Sequence, residues 1–335
     1  MESRVVMATA TIMLKDAFLG ISDLEDNSID ALITDPPYFL DGMDDTWQKD
    51  MITRKNTKNQ VVKSLRTNMR FNKQQGIDFQ IFMEKVASTA LPKIKPGGWL
   101  ISFSAPRLYH RMTVGIEDAG YEIRDMWQWL YTQNQMKAMS IARTMKKDDS
   151  LTFEELQKLS AELEIWKTPQ VRSNFEPIVL AQKPREGTFY ENWRKYNVGL
   201  INVKSNAGSN NSATSNVMTT DSISEIIDKT FLVAKPNKKE KGSITHLSVK
   251  PLELMKHLIK VTVPENGLVL DPFNGSGTTG IAALFMERNF MGFENNENYF
   301  NESKMRNEQH FRVIANENSF TVDSVVNSEF NLFLL

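Results

Sequence analysis

Cysteine is absent from all 335 residues. That excludes disulfides and thiolate metal sites, and it fits a reducing, cytoplasmic setting. Histidine is scarce: His110, His246, His257 and His310 show no ligand-like spacing, so no metal is expected. No apolar run approaches the length of a membrane span, so no membrane partner is expected. The N-terminus has no basic stretch leading into an apolar one, so no secretory signal is expected either. Net charge is nearly missing, at −1; the global balance does not announce a polyanionic partner. What the chain does have is 41% hydrophobic residues, enough to build one large α/β domain and a smaller module.

Two short segments carry chemistry. The first is Asp35-Pro36-Pro37-Tyr38, directly after the strand-like run Ile29–Thr34. A carboxylate, two φ-restricted prolines and an aromatic ring at a strand end suit the capture of a planar amino group. The alternative is a proline turn in which Asp35 shapes the bend and Tyr38 packs.

The second segment, Val269-Leu270-Asp271-Pro272-Phe273-Asn274-Gly275-Ser276-Gly277-Thr278-Thr279-Gly280, reads as strand, glycine turn and helix start. Glycines admit close approach of a ligand to the backbone, and a helix N-terminus offers free N–H groups. A further strand, Phe290–Phe293, ends in Glu294, placed to accept ribose hydroxyls. Gly275-x-Gly277-x-x-Gly280 also fits a dinucleotide fingerprint, which keeps a nicotinamide oxidoreductase in view. Against it, Asp271 would repel a pyrophosphate and suits a ligand bearing an ammonium or sulfonium group. The glycine turn also lies late in the chain, whereas such enzymes usually open with it.

Together these segments resemble the β-class amino-DNA methyltransferases, in which a [D/S/N]PP[Y/F] motif precedes an FxGxG motif. Asp35–Tyr38 and Phe273–Gly277 stand in that order; the protein-glutamine methyltransferases carry NPPY after the glycine motif instead. The resemblance spans roughly residues 12–310. It includes His246-Leu247-Ser248-Val249-Lys250-Pro251, similar to the family's HPTQKP but with Leu247 and Val249 departing from it. It also includes Asp16, where the family often has Gly-Asp, and Asn174–Pro184, which resembles the family's late catalytic strand.

The resemblance implies a Rossmann-like class I S-adenosylmethionine-dependent fold, α/β with a mostly parallel sheet, circularly permuted motif order and a small target-recognition insert. Residues 1–185 would form the catalytic half, 186–245 the recognition region and 246–312 the cofactor half; 313–335 is a tail without usable resemblance. S-adenosyl-L-methionine would be the cofactor. Asp16 would meet its adenine, Glu294 its ribose, and Lys250 with His246 or Ser248 its carboxylate. Asp271 would face the methionine end, and Phe273, Asn274, Gly275, Ser276, Gly277 and Thr278 would make the close turn. Each has a plainer reading: Asp16 as a helix cap, Lys250 as a surface lysine, Phe273 as core.

The substrate implied is double-stranded DNA, with adenine N6 as the target: Asp at the first motif position leans to adenine, whereas members acting on cytosine N4 more often have Ser. Cytosine N4 as the target is the alternative within the family, and a DNA-binding protein that has lost catalysis is a further one. The family also allows a homodimer and a cognate restriction endonuclease. In the residues themselves, a basic segment follows the tetrapeptide: Lys49, Arg54, Lys55, Lys58, Lys63, Arg66, Arg70 and Lys73 stand against Asp50 alone. It suits phosphate contacts, or else a solvated loop.

Alternating strand and helix patterns predict a largely parallel sheet. Helical spacing covers Phe79–Ile94, punctuated by Lys95-Pro96-Gly97-Gly98 before a strand at Trp99–Phe103. Leu151–Lys167 is an amphipathic helix that could pack on the sheet, cover DNA or mediate self-association, with packing as the default. The apolar end, Phe330–Leu335, would be sticky unless docked.

Overall fold

Apart from Asp30, Ile29–Thr34 carries no charge, and it folds as a strand in which all six residues are buried. The computed structural model describes residues 8–38, 73–131, 138, 140–141, 145, 148–168, 173–203, 216–218, 249–318 and 329–333. Their elements are, in chain order, β1 (Thr9–Leu14), α1 (Ala17–Ser22), β2 (Ile29–Thr34), α2 (Lys73–Ala90), β3 (Ile94–Phe103), α3 (Tyr109–Asp118), β4 (Glu122–Leu130), α4 (Phe153–Glu162), β5 (Phe175–Gln182), α5 (Phe189–Tyr196), β6 (Val217–Met218), α6 (Leu252–Thr262), β7 (Leu268–Asp271), α7 (Thr278–Phe285), β8 (Asn289–Glu294), α8 (Glu297–Asn318) and β9 (Glu329–Phe333).

Among the described residues the strands form one sheet in the order β6-β4-β5-β3-β2-β7-β8-β1-β9. The central pairs β3·β2, β2·β7, β7·β8 and β8·β1 are parallel. β5 runs antiparallel to both β3 and β4, and β9 antiparallel to β1. From β2 the chain winds outward to β3, and from β7 it winds the opposite way to β8. The helices of these two units therefore fall on opposite faces, and a crevice opens between the carboxyl ends of β2 and β7, at the topological switch point.

Two cores confirm the layering. Ala31, Ile33 and Val269 face a cluster that includes Leu254, Leu258, Ala282 and Leu284 of α6 and α7. Leu32 and Leu270 face the other cluster, with Phe79, Phe82, Val86, Met112 and Ile116 of α2 and α3. Each of the larger side chains contributes about 1.5–3 kcal/mol by leaving water. Asp30 is the charged exception inside β2. It accepts from Lys95 Nζ at 2.8 Å and from the Leu268 backbone N at 2.7 Å, so the buried carboxylate is compensated and ties β7 to β2.

Three sequence expectations are corrected. The α2 helix stops at Ala90, and Lys95–Gly98 lies inside β3 rather than before it. There the register jumps from Ile29↔Ile94 to Ala31↔Trp99, a bulge that suits Pro96, which has no N–H, and Gly97, at φ 77°. The α4 helix does not pack into the sheet. None of its residues is buried, and Phe153 is 80% exposed. It is specified locally instead, by a capping box between Thr152 and Glu155 and by two glutamates in its first turn. The tail does dock in part: β9 pairs with β1 from Thr9↔Phe333 to Met13↔Glu329, covering that edge.

Candidate active site

Asp35 begins where β2 ends, so the fully buried strand delivers the tetrapeptide to the mouth of the crevice. Tyr38 donates its hydroxyl to one carboxylate oxygen of Asp35, and the Lys250 ammonium donates to the other. Lys250 also lies 3.5 Å from Glu176 Oε2 and 4.9 Å from the Phe103 ring centroid. Its side chain is only 8% exposed. Burial works against the Lys250 charge, but the Asp35 and Glu176 carboxylates outweigh it and hold the ammonium above its ordinary range. Burial, followed by the charges of Asp35 and Glu176, pushes the Tyr38 phenol well up, so it remains a donor. The Tyr38 ring meets Phe79 edge-on at 6.5 Å. Tyr131, at the end of β4, is pushed up to about 12 by burial and then by Glu176.

Asp271 ends β7 beside it. Its Oδ1 accepts from the Thr34 hydroxyl at 2.7 Å and the Phe273 N–H at 3.2 Å, and its Oδ2 from the Thr279 hydroxyl at 2.6 Å. Burial pushes this carboxyl up to about 6; the three donors oppose the shift, and nearby Asp35 adds to it. Phe273 packs 5.7 Å from Phe82, partly in the second core.

The glycine turn follows. Gly275 and Gly277 have φ of 49° and 76°, a region that favours glycine. Gly277 has a second constraint: a Cβ there would lie 2.5 Å from Asn307 Nδ2 and 3.0 Å from Ser303 Cβ. The Gly275 N–H donates to Glu294 Oε2 at 2.8 Å and the Asn296 N–H to Oε1 at 2.9 Å. Glu294 is buried, and desolvation raises its carboxyl against these N–H donors. Asn274 donates to Ser303 Oγ at 3.0 Å, and Ser276 and Thr278 share a hydroxyl contact at 3.1 Å.

Asp16 caps α1, accepting from the Phe18 and Leu19 N–H groups at 2.9 and 3.1 Å. It stands next to the site as well, because the Lys15 N–H reaches the Glu294 carbonyl at 2.9 Å. The structure thus gathers Asp35, Tyr38 and Lys250 at the β2 end, Asp271 and the turn at the β7 end, and Glu294 and Asp16 at the next two strand ends. Lys250 is no surface lysine; it meets Asp35.

His246 and Ser248 lie outside the described residues, as do Lys49, Arg54, Lys55, Lys58, Lys63, Arg66 and Arg70; Lys73 is the first residue of α2. Within 186–245, α5 rests on the β3 bulge, where Asn192 Nδ2 donates to the Pro96 carbonyl at 2.9 Å. That is the end of the sheet away from Asp35.

Sequence reasoning missed Thr34, Thr279, Glu176 and the support from α8. Arg306 donates to the Ser276 carbonyl at 3.1 Å and to Thr278 Oγ1 at 2.6 Å, bracing the turn from beneath. A glutamate opening an otherwise apolar strand was the available signal for Glu176. For Arg306, in the middle of a charged helix, there was none. Among the described residues no group of three or more His, Asp or Glu is placed to hold a metal, and no helix is long and apolar enough to cross a membrane.

Comparison with known proteins bears on the fold and the family. The chain is 28% identical over 306 residues to the type II methyltransferase M.HindIII of Haemophilus influenzae, covering 85% of this chain and 91% of that one. It is 24% identical to M.HpaI of Haemophilus parainfluenzae over 90% of this chain and 74% of that one. In fold it resembles the M1.HpyAVI–SAM complex, with TM-score 0.51, 21% identity, and 88% and 97% of the two chains covered. It likewise resembles the cytosine-N4-specific PvuII DNA methyltransferase, with TM-score 0.53, 14% identity and 90% of each chain covered. The architecture is the α/β class I methyltransferase fold. The sequence profile of the N6/N4 DNA methylases matches residues 29–305, most of the chain, and the protein belongs to that family.

Proposed function

We propose that this protein is a site-specific, β-class DNA methyltransferase that moves the methyl group of S-adenosyl-L-methionine to adenine N6 in duplex DNA. The observation that carries the reading is the juxtaposition of Asp35 and Asp271 on neighbouring strand ends, joined through Thr34. A would-be acceptor of an amino group thereby stands beside a glycine turn suited to a nucleoside. The donor set fits this cofactor: buried Asp271 and Glu294 suit a ligand with cationic groups and ribose hydroxyls, and would repel the pyrophosphate of a dinucleotide.

When bound, the cofactor supplies an electrophilic methyl on a good leaving group, so the protein needs no strong base. Glu294 would hold the ribose, Asp271 the methionine end, and Asp16 the adenine. The amino lone pair of adenine is delocalised into the ring. Asp35 accepts one N–H and a backbone carbonyl at Asp35 or Pro36 the other, which draws the nitrogen towards tetrahedral geometry. Positive charge then develops on that nitrogen, and the Asp35 carboxylate stabilises it. A carboxylate has roughly four acceptor positions, so pairing with Tyr38 and Lys250 does not exhaust Asp35. The target base leaves the stack, which costs a few kcal/mol, and Tyr38 offers a ring to receive it.

The basic segment 49–73 neutralises phosphates. Base reading falls to the part of 186–245 beyond Val203, because α5 sits at the far end of the strands.

The test is transfer of labelled methyl to unmethylated duplex DNA, with Asp35→Ala alongside and the product digested to nucleosides. N6-methyladenine from wild type alone is the expected result. N4-methylcytosine would keep the mechanism and replace the base, and no transfer to DNA of varied sequence would overturn the reading.

A further inference from the structure

We propose that Glu176 is a positioning residue of the catalytic centre: it shares the Lys250 ammonium with Asp35 and so leaves more of the Asp35 charge to the reacting nitrogen. The inference rests on the methyl-transfer reading above. Glu176 is the second residue of β5, and because β5 runs antiparallel to β3, its opening residues arrive at the same end of the sheet as Asp35.

Its Oε2 is sealed from solvent, without a close hydrogen-bond donor of ordinary length among the described residues. The compensating charge is the Lys250 ammonium, 3.5 Å away. A buried ammonium needs compensating charge, and a neutral side chain of the same shape would leave Lys250 with Asp35 as its counter-charge. Shape alone therefore does not account for a glutamate here.

The charges do. The groups facing this point are Asp35 and Tyr38 from the β2 end, Glu176 from β5, Tyr131 from β4, Lys250 before α6, and Asp271 from β7. Lys250 paired with Asp35 alone would neutralise the carboxylate that meets the amino nitrogen, whereas Asp271 is held on the next strand by Thr34, Thr279 and the Phe273 N–H. Glu176 restores one negative charge and draws the ammonium away from an exclusive pairing with Asp35. It does this through Lys250, without touching the reacting atoms.

The test is steady-state methyl transfer by the full chain carrying Glu176→Gln or Glu176→Asp, with wild type as control. For Glu176→Gln, kcat falls at least about tenfold, while KM for the cofactor and for DNA each stay within about threefold. Glu176→Asp, which keeps the charge, recovers most of the loss. Wild-type kcat in Glu176→Gln overturns the proposal, as does a change confined to KM or an Asp variant as impaired as the Gln variant. Should the Gln variant not fold, the Asp variant decides, since a kcat near wild type supports the charge role and a tenfold loss refutes it. Absence of transfer by wild type removes the underlying reading instead, so the two failures are distinct.

Discussion

Thr34 donates its hydroxyl to Asp271 at 2.7 Å, across 237 positions of sequence. Thr34 precedes the tetrapeptide at the end of β2, and Asp271 ends β7. One buried hydrogen bond therefore adds a side-chain link between the two motifs to the backbone pairing of β2 with β7.

Replacing Thr34 with Val keeps the shape and removes this donor, leaving Asp271 Oδ1 with the Phe273 N–H alone. The expected loss is about 1.5–3 kcal/mol of stability, the worth of a hydrogen bond to a buried charged group, together with weaker cofactor binding. Thr34→Ser stays near wild type. Urea unfolding and calorimetry with S-adenosylmethionine read both effects; a Val variant indistinguishable from wild type would show that the link is dispensable.

Glu294 anchors the glycine turn through the Gly275 N–H and is the proposed ribose ligand. Glu294→Ala is expected to weaken cofactor binding at least tenfold, about 1.4 kcal/mol. Unchanged affinity by calorimetry removes the residue from the site.

Asp271 has a folded-state pKa pushed up to about 6 from 3.8, with burial as the leading cause. The folded protein therefore takes up this proton more readily than the unfolded chain. The contribution to stability is present in full below the unfolded value and is lost as pH rises through about 6, on the order of 2–3 kcal/mol. Unfolding of wild type and Asp271→Asn between pH 4 and 7 tests it. The stability of wild type relative to the variant should decline across that window, and a flat difference would contradict the shift.

Tyr38 offers both a hydroxyl, bound to Asp35, and a ring. If the ring receives the target base, Tyr38→Ala should cost roughly 5- to 150-fold in kcat/KM, from about 1–3 kcal/mol of stacking. Tyr38→Phe keeps the ring and should be mild. Equal losses in the two variants would assign the effect to the hydroxyl and end the stacking role.

Much of this protein was legible without coordinates, for a local reason. The β2 run, the glycine turn and the strand ending in Glu294 are specified by neighbouring residues: an apolar stretch, and backbone angles that favour glycine. Motif order then located both halves of the candidate site. Where local pattern pointed one way and packing another, packing prevailed. The α4 stripe suggested a core helix, yet none of its residues is buried; Lys95–Gly98 looked like a boundary, yet the sheet absorbs it as a bulge.

The sequence by itself determined which chemical groups are present and the order of its two motifs. Only the tertiary structure decided which groups share charge. Lys250 meets Asp35 and Glu176 because β2 ends, β5 begins and the segment entering α6 passes at the same end of the sheet. Such pairings join residues far apart in the chain, and their energies depend on burial and distance, neither of which is written in local sequence.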